Sequence, residues 1–154
     1  MLKNTDRVRQ SALNFLRSGY YTEALPGTKD YYDFWDEEKN RCLYGLTVDK
    51  GTEDELYITG FHYFYLNYCP IDRAIDEKMP DGTIQARRER TFPAFYDGDY
   101  EYFYEIETAR TNNKHMIVLK ARRKGYSYKA GSMLARNYFF VKNSKNFVFA
   151  GQKE

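Results

Sequence analysis

The chain has 154 residues, 42% of them hydrophobic and 30% charged, with a formal net charge of +2. That suits one globular domain with a modest core rather than a disordered chain. No apolar run approaches the ~20 residues that span a bilayer, and Cys42 and Cys69 are too few for a disulfide scaffold and lack zinc spacing.

Asn4 or Thr5 is placed to cap a first helix with Val8, Ala12, Phe15 and Leu16 on one face, and Gly19 to end it. Pro26-Gly27 marks a loop. Tyr31–Asn40 reads as a short helix presenting Tyr31, Phe34 and Trp35. Residues 41–48 and 55–59 flank Asp49-Lys-Gly51 as a hairpin. Thr59 caps a helix to about Tyr68, stopped by Pro70, whose five Tyr/Phe read as buried packing rather than base stacking. Residues 72–91 are polar and without period, which predicts a linker or flexible loop. Phe92–Gly98 reads as irregular, and Asp99 as the cap of a helix over Tyr100–Ala109.

The last segment is predicted as β-α-β. His115–Leu119 reads as a buried strand, Ser127–Val141 as a helix with Ala130, Leu134, Tyr138 and Val141 on one face, and Phe147–Ala150 as a second strand. Such strands are parallel, and ligands sit beyond their carboxyl ends. The stretch KARRKGYS, from Lys120 to Ser127, lies there. A strand, a glycine turn and a helix N-terminus form the geometry of a phosphate loop. Against G-x-x-x-x-G-K-[ST] the match is partial. Gly125 takes the second glycine position and Ser127 the Ser/Thr position, while Tyr126 stands for the lysine and Lys120 for the first glycine. A flexible ammonium at Lys120 reaches the β/γ-phosphates as a point charge, and the Ser127 hydroxyl then ligates Mg²⁺. The plainer reading is a basic turn between a strand and a helix, and both stay open on spacing.

Charge is split along the chain. Residues 111–154 hold ten Lys/Arg and one acid, Glu154; residues 1–110 hold fourteen and twenty-one, so the two parts carry +9 and −7. The basic part fits a polyanion, or else it faces the acids of the first part. His62 and His115 stand without metal-ligand neighbours and read as structural.

The stretch VLKARRKGYSYKAGSMLARNYF, residues 118–139, resembles the deviant Walker A segment of tailed-phage terminase large subunits. Some of these carry the lysine at the start of the loop, followed by an arginine, and read R-x-G-Y-S at its end. The similarity extends through YITGFHYFYLNYCPI, FPAFYDGDYEYFYEIE and NSKNFVFAGQKE, roughly the last two thirds of the chain. The family packages DNA into procapsids with an N-terminal ATPase and a C-terminal nuclease.

The resemblance implies an α/β fold with an α+β N-terminal part, an incomplete P-loop NTPase domain of the ASCE type. Helical and hairpin elements over 1–71 and the linker 72–91 would precede the start of the ATPase domain at 92–154. It implies ATP and Mg²⁺ held by Lys120, Ala121, Arg122, Arg123, Lys124, Gly125, Tyr126 and Ser127, with the backbone N–H groups of Lys124 to Ser127 as cradle. Arg122 would be the catalytic arginine on the γ-phosphate, and Ser127 the Mg²⁺ ligand. An aromatic segment ahead of the loop would stack on adenine. Phe95 and Tyr96 stand there, but the expected glutamine does not, and Asp97 and Asp99 do. No apolar strand ending in Asp or Glu follows the loop, so the chain is expected to be an N-terminal fragment, inactive alone. Implied partners are double-stranded DNA, the portal protein, the terminase small subunit and copies of itself in a ring, with no membrane, in the host cytoplasm. Two alternatives remain: a non-catalytic basic nucleic-acid-binding module, and an assembly module using its aromatics.

Overall fold

Two helices open the part of the chain described by this computed structural model, residues 5–80, 82–121 and 124–145. A 3-10 turn, Thr5–Val8, leads into α1 (Gln10–Ser18), and Gly19 closes α1 with its N–H on the Phe15 carbonyl. Val8 and Ala12 of the expected face are fully buried, while Phe15 and Leu16 sit at its rim. α2 (Lys29–Tyr44) starts at Thr28, whose hydroxyl accepts the Tyr31 N–H. It runs past Asn40, because Arg41 closes helical pairs with Glu37 and Glu38. The expected hairpin therefore begins later: β1 (Leu46–Val48) pairs antiparallel with β2 (Leu56–Ile58).

Thr59 caps α3 (Gly60–Tyr68) as expected, its hydroxyl accepting the His62 N–H at 3.2 Å. Every residue from Gly60 to Asn67 is buried, as befits a helix apolar on all sides. A side chain at Gly60 would place its Cβ 2.5 Å from the Cys42 carbonyl oxygen, so glycine lets α3 cross the end of α2.

Residues 72–91 do not form a linker. β3 (Ile71–Lys78) and β4 (Ile84–Thr91) make an antiparallel hairpin in which Asp72 faces Arg90 and Arg73 faces Glu89. Both faces are wet, so no apolar alternation betrays the strands, and opposite charges across the ladder stabilise them instead. α4 (Asp97–Thr111) starts two residues before Asp99, and α5 (Tyr126–Phe140) follows after an extended passage.

That passage corrects the β-α-β expectation. Residues 115–119 form no strand, and Ile117 and Leu119 are 89% and 95% exposed. An apolar run becomes a buried strand only beside ladder partners, and among the described residues none lies there. The second expected strand, Phe147–Ala150, and the candidate cap Asn4 lie outside the described residues. The fold is thus mixed α/β, with helices and two small antiparallel sheets.

α5 also turns a different face inward. Its buried residues are Lys129, Ser132 and Arg136, while Ala130 and Tyr138 are exposed. α3 is the common wall of the molecule: Tyr63, Phe64 and Leu66 join Val8, Cys42, Val48 and Ile58, and Phe61 and Tyr65 join Phe103 of α4. Ala135 and Phe140 of α5 pack against the first of these clusters, as do Phe95 and Tyr100, so Val8 and residues of α2 and α3 share one core with residues of α4 and α5. Among the described residues no helix is long and apolar enough to cross a membrane.

Candidate functional site

Gly125 turns the chain into α5. Its φ of 70° is left-handed, and a Cβ there would meet only the Tyr65 hydroxyl, 3.9 Å away, so glycine serves the turn rather than a close approach. The N–H groups of Tyr128 and Lys129 donate to the Gly125 carbonyl at 3.1 and 3.2 Å. Those of Tyr126 and Ser127, at the first two helical positions, have no carbonyl within the helix to reach. No acid stands in this first turn.

Lys120 lies beside that turn. Its Nζ is 5.4 Å from the centroid of the Tyr126 ring. The ring also meets Tyr102 edge-on at 4.9 Å and the Lys129 ammonium at 4.3 Å. Tyr126 thus has one cation from the preceding passage and one from its own helix against its π-face. Ala121, Lys124 and Ser127 are exposed. Arg122 and Arg123 lie outside the described residues.

Of the two aromatics expected to stack on adenine, Phe95 is partly buried and Tyr96 is exposed. Phe95 packs its ring against His62 at 5.2 Å and Tyr100 at 6.2 Å, as part of the core wall rather than as an open stacking face. Tyr96 precedes the first turn of α4 and is 56% exposed. At the head of α5 stand the Lys120 ammonium and the exposed Ser127, residue types that an anion would take. Among the described residues no cluster of His, Cys, Asp or Glu could hold a metal ion, and Asp99 is already paired with Lys129.

Sequence reasoning missed the polar residues that position this turn. Lys129 is 3% exposed and forms its ion pair with Asp99 of α4. Arg136, also 3% exposed, donates from Nε to the Cys42 carbonyl and from one terminal nitrogen to the Leu43 carbonyl, both at 2.8 Å. It covers the open end of α2 and lies 4.5 Å from the Phe61 ring. Lys129, Ser132 and Arg136 are spaced i, i+3, i+7, a helical stripe like any apolar one, but built of residues that a search for apolar faces passes over. Glu38, 1% exposed, holds the N-terminal helices together by accepting from Ser11, Tyr63, Tyr68 and Arg41.

His62 is structural, as expected. It is fully buried, stacks on Phe103 at 5.1 Å, and neither ring nitrogen has a hydrogen-bond partner. Burial, helped by the nearby Lys129 charge, pushes its pKa down to about 3. A cleft of about 590 Å³ at the far end of α5 gathers Arg110, Arg136 and Lys142 together with Glu107. The C-termini of α2, α4 and α5 converge there, and their partial negative charges offset these cations.

Comparison of the chain with protein-family models, with curated proteins and with solved structures finds no match.

Proposed function

We propose that this chain is the nucleotide-binding portion of a DNA-packaging motor of the terminase large-subunit kind, with the turn from Lys120 to Ser127 receiving the triphosphate of ATP. The observation that carries the reading is the placement of the Lys120 ammonium beside Tyr126, the first residue of α5, whose first-turn N–H groups have no carbonyl within the helix to reach. Lys120 supplies the charge, the backbone supplies oriented donors, and Ser127 offers its hydroxyl to magnesium. Arg122 is the arginine for the γ-phosphate under the same reading. ATP binding here would serve hydrolysis and translocation of double-stranded DNA in the full-length motor, alongside the portal protein, the small subunit and a ring of copies. The fold reading that goes with it is a P-loop domain of the ASCE type.

Calorimetric titration of the 154-residue chain with Mg-ATP tests it. Binding is expected, with a loss of at least about tenfold for Lys120→Ala, equivalent to ~1.4 kcal/mol. An affinity unchanged by that substitution would remove Lys120 from the role.

A second reading, a non-catalytic module for assembly, rests on the exposed Ile117 and Leu119, which no described residue covers. It predicts no nucleotide binding. DNA binding that weakens steeply with salt and ignores nucleotide would point instead to a nucleic-acid module.

A further inference from the structure

The β3–β4 hairpin stands in water on both faces, with only Ile71, Ile75 and Thr91 of its strand residues partly covered. Among the described residues β3 pairs with β4 alone. At its other edge the Asp72 N–H donates to the Tyr128 hydroxyl of α5 at 3.4 Å, and beyond it the edge from Ala74 to Lys78 is a template for another strand. The Met79 N–H donates to the Thr83 carbonyl at 2.8 Å. Antiparallel ladders alternate, so Arg73, Ile75 and Glu77 turn their main-chain groups toward β4. Asp72, Ala74, Asp76 and Lys78 turn theirs to the open edge.

Charges on an open edge ordinarily deter pairing. Here their order favours one partner. In a second β3 laid antiparallel about Ile75, Arg73 faces Glu77 of the other copy, Asp72 faces Lys78, Ile71 faces Met79, and Ile75 faces its own counterpart. Ala74 with Asp76 then falls at the hydrogen-bonded positions, and Asp72 with Lys78 does so once the Asp72 N–H leaves the Tyr128 hydroxyl. Arg73 with Glu77 falls at the narrow positions, where side chains come closest. Two-fold symmetry makes every unlike contact twice. Neighbouring registers fail: centring on Ala74 sets Asp72 against Asp76, and centring on Asp76 or Arg73 sets that charge against itself. The edge of β4 has no such order, since centring on Arg87 or Arg88 opposes arginines. The pairing also extends the rows already present, Glu89–Arg73 on one face and Arg90–Asp72 on the other, each by one opposite charge.

We propose that the occupant of this edge is a second copy of the same chain, joined by antiparallel β3–β3 pairing into a two-fold, four-stranded sheet. The contact is one strand wide, well below a standard interface, so association belongs in the micromolar range.

Sedimentation equilibrium of the 154-residue chain without nucleotide tests this, so the result is read separately from nucleotide binding. A monomer–dimer equilibrium is expected, weaker in high salt. Arg73→Glu or Glu77→Arg alone should abolish the dimer, and the two together should restore it. Each change also disturbs its own hairpin, at Glu89 or Arg87, and the double variant keeps both disturbances, so restored association can come only from the swapped contact. Ala74→Pro removes an open-edge N–H while sparing the bonds to β4, and should give a folded monomer by circular dichroism. A chain monomeric at all concentrations overturns the proposal, as does a dimer indifferent to Arg73→Glu or a double variant that stays monomeric.

Discussion

Arg136 donates its Nε–H to the Cys42 carbonyl at 2.8 Å, across 94 positions of sequence, and so fastens α5 to the end of α2. The Leu43 carbonyl takes a second bond from the same guanidinium. Arg136→Met keeps the bulk but leaves two carbonyls at a buried helix end without a donor. The expected cost is about 2–4 kcal/mol, read from the urea midpoint. Arg136→Lys should recover only part of it, because one ammonium lacks the planar fork that spans two neighbouring carbonyls.

The same contact explains what was legible in the sequence. Thr59 and Gly19 act through neighbours three or four residues away, so their helix ends were readable from local spacing. Arg136 and Lys129 are buried because of the Cys42 and Leu43 carbonyls and Asp99, partners far off in the chain. Apolar periodicity therefore chose the wrong face of α5. Residues 115–119 failed in the opposite way: the run has strand composition, but composition does not supply a neighbouring strand. The hairpin at 71–91 was hidden because both of its faces are polar. At the candidate site, the glycine turn, Lys120 and Ser127 were visible as a motif. The contact of Tyr126 with Lys129, and the inward packing of Phe95, depended on α4 and α3 and were not.

Glu38 is the second point on which the fold depends. Its carboxylate takes hydroxyl donors from Ser11, Tyr63 and Tyr68 and the guanidinium of Arg41, joining α1, α2 and α3. Burial and the adjoining Glu38 charge push the Tyr63 and Tyr68 hydroxyls above their ordinary range, so both remain donors at neutral pH. Glu38→Gln removes the charge and turns a donor amide toward groups that also donate. A loss of about 2–4 kcal/mol is expected in thermal or urea unfolding. Ser11→Ala, which removes one donor from a carboxylate that keeps the others, should cost about 1 kcal/mol.

His62 gives stability a dependence on acid. Unfolded, its imidazole titrates near 6.5; in the folded chain its pKa is about 3, lowered by burial and by Lys129. Above pH 6.5 it is neutral in both states and stability from this source is level. As pH falls from 6.5 toward 3 the unfolded chain takes up a proton that the folded chain refuses. Stability then declines by up to about 1.4 kcal/mol per pH unit. Carboxylates add their own acid loss, so the comparison is with His62→Leu, close in volume. The variant should show a shallower fall in urea midpoint between pH 6.5 and 4.5. An identical slope in both proteins would remove His62 from the account.

Lys129 and Asp99 form the pair that sets the first turn of α5 against α4. The lysine side chain is 4% exposed and the aspartate 13%, so neither charge is well hydrated if the other is removed. Lys129→Met should therefore cost about 3–5 kcal/mol, chiefly by leaving Asp99 unpaired. Adding Asp99→Leu should return much of that loss, because two apolar side chains in this position carry no uncompensated charge. The double variant separates stability from site geometry. Its Tyr126 ring has lost the ammonium that lies 4.3 Å away, while Lys120 remains. If Lys129 holds Tyr126, and with it the first turn of α5, the double variant will unfold near the native midpoint yet bind Mg-ATP at least about tenfold more weakly. Native affinity in that variant would assign Lys129 to the packing of the two helices alone.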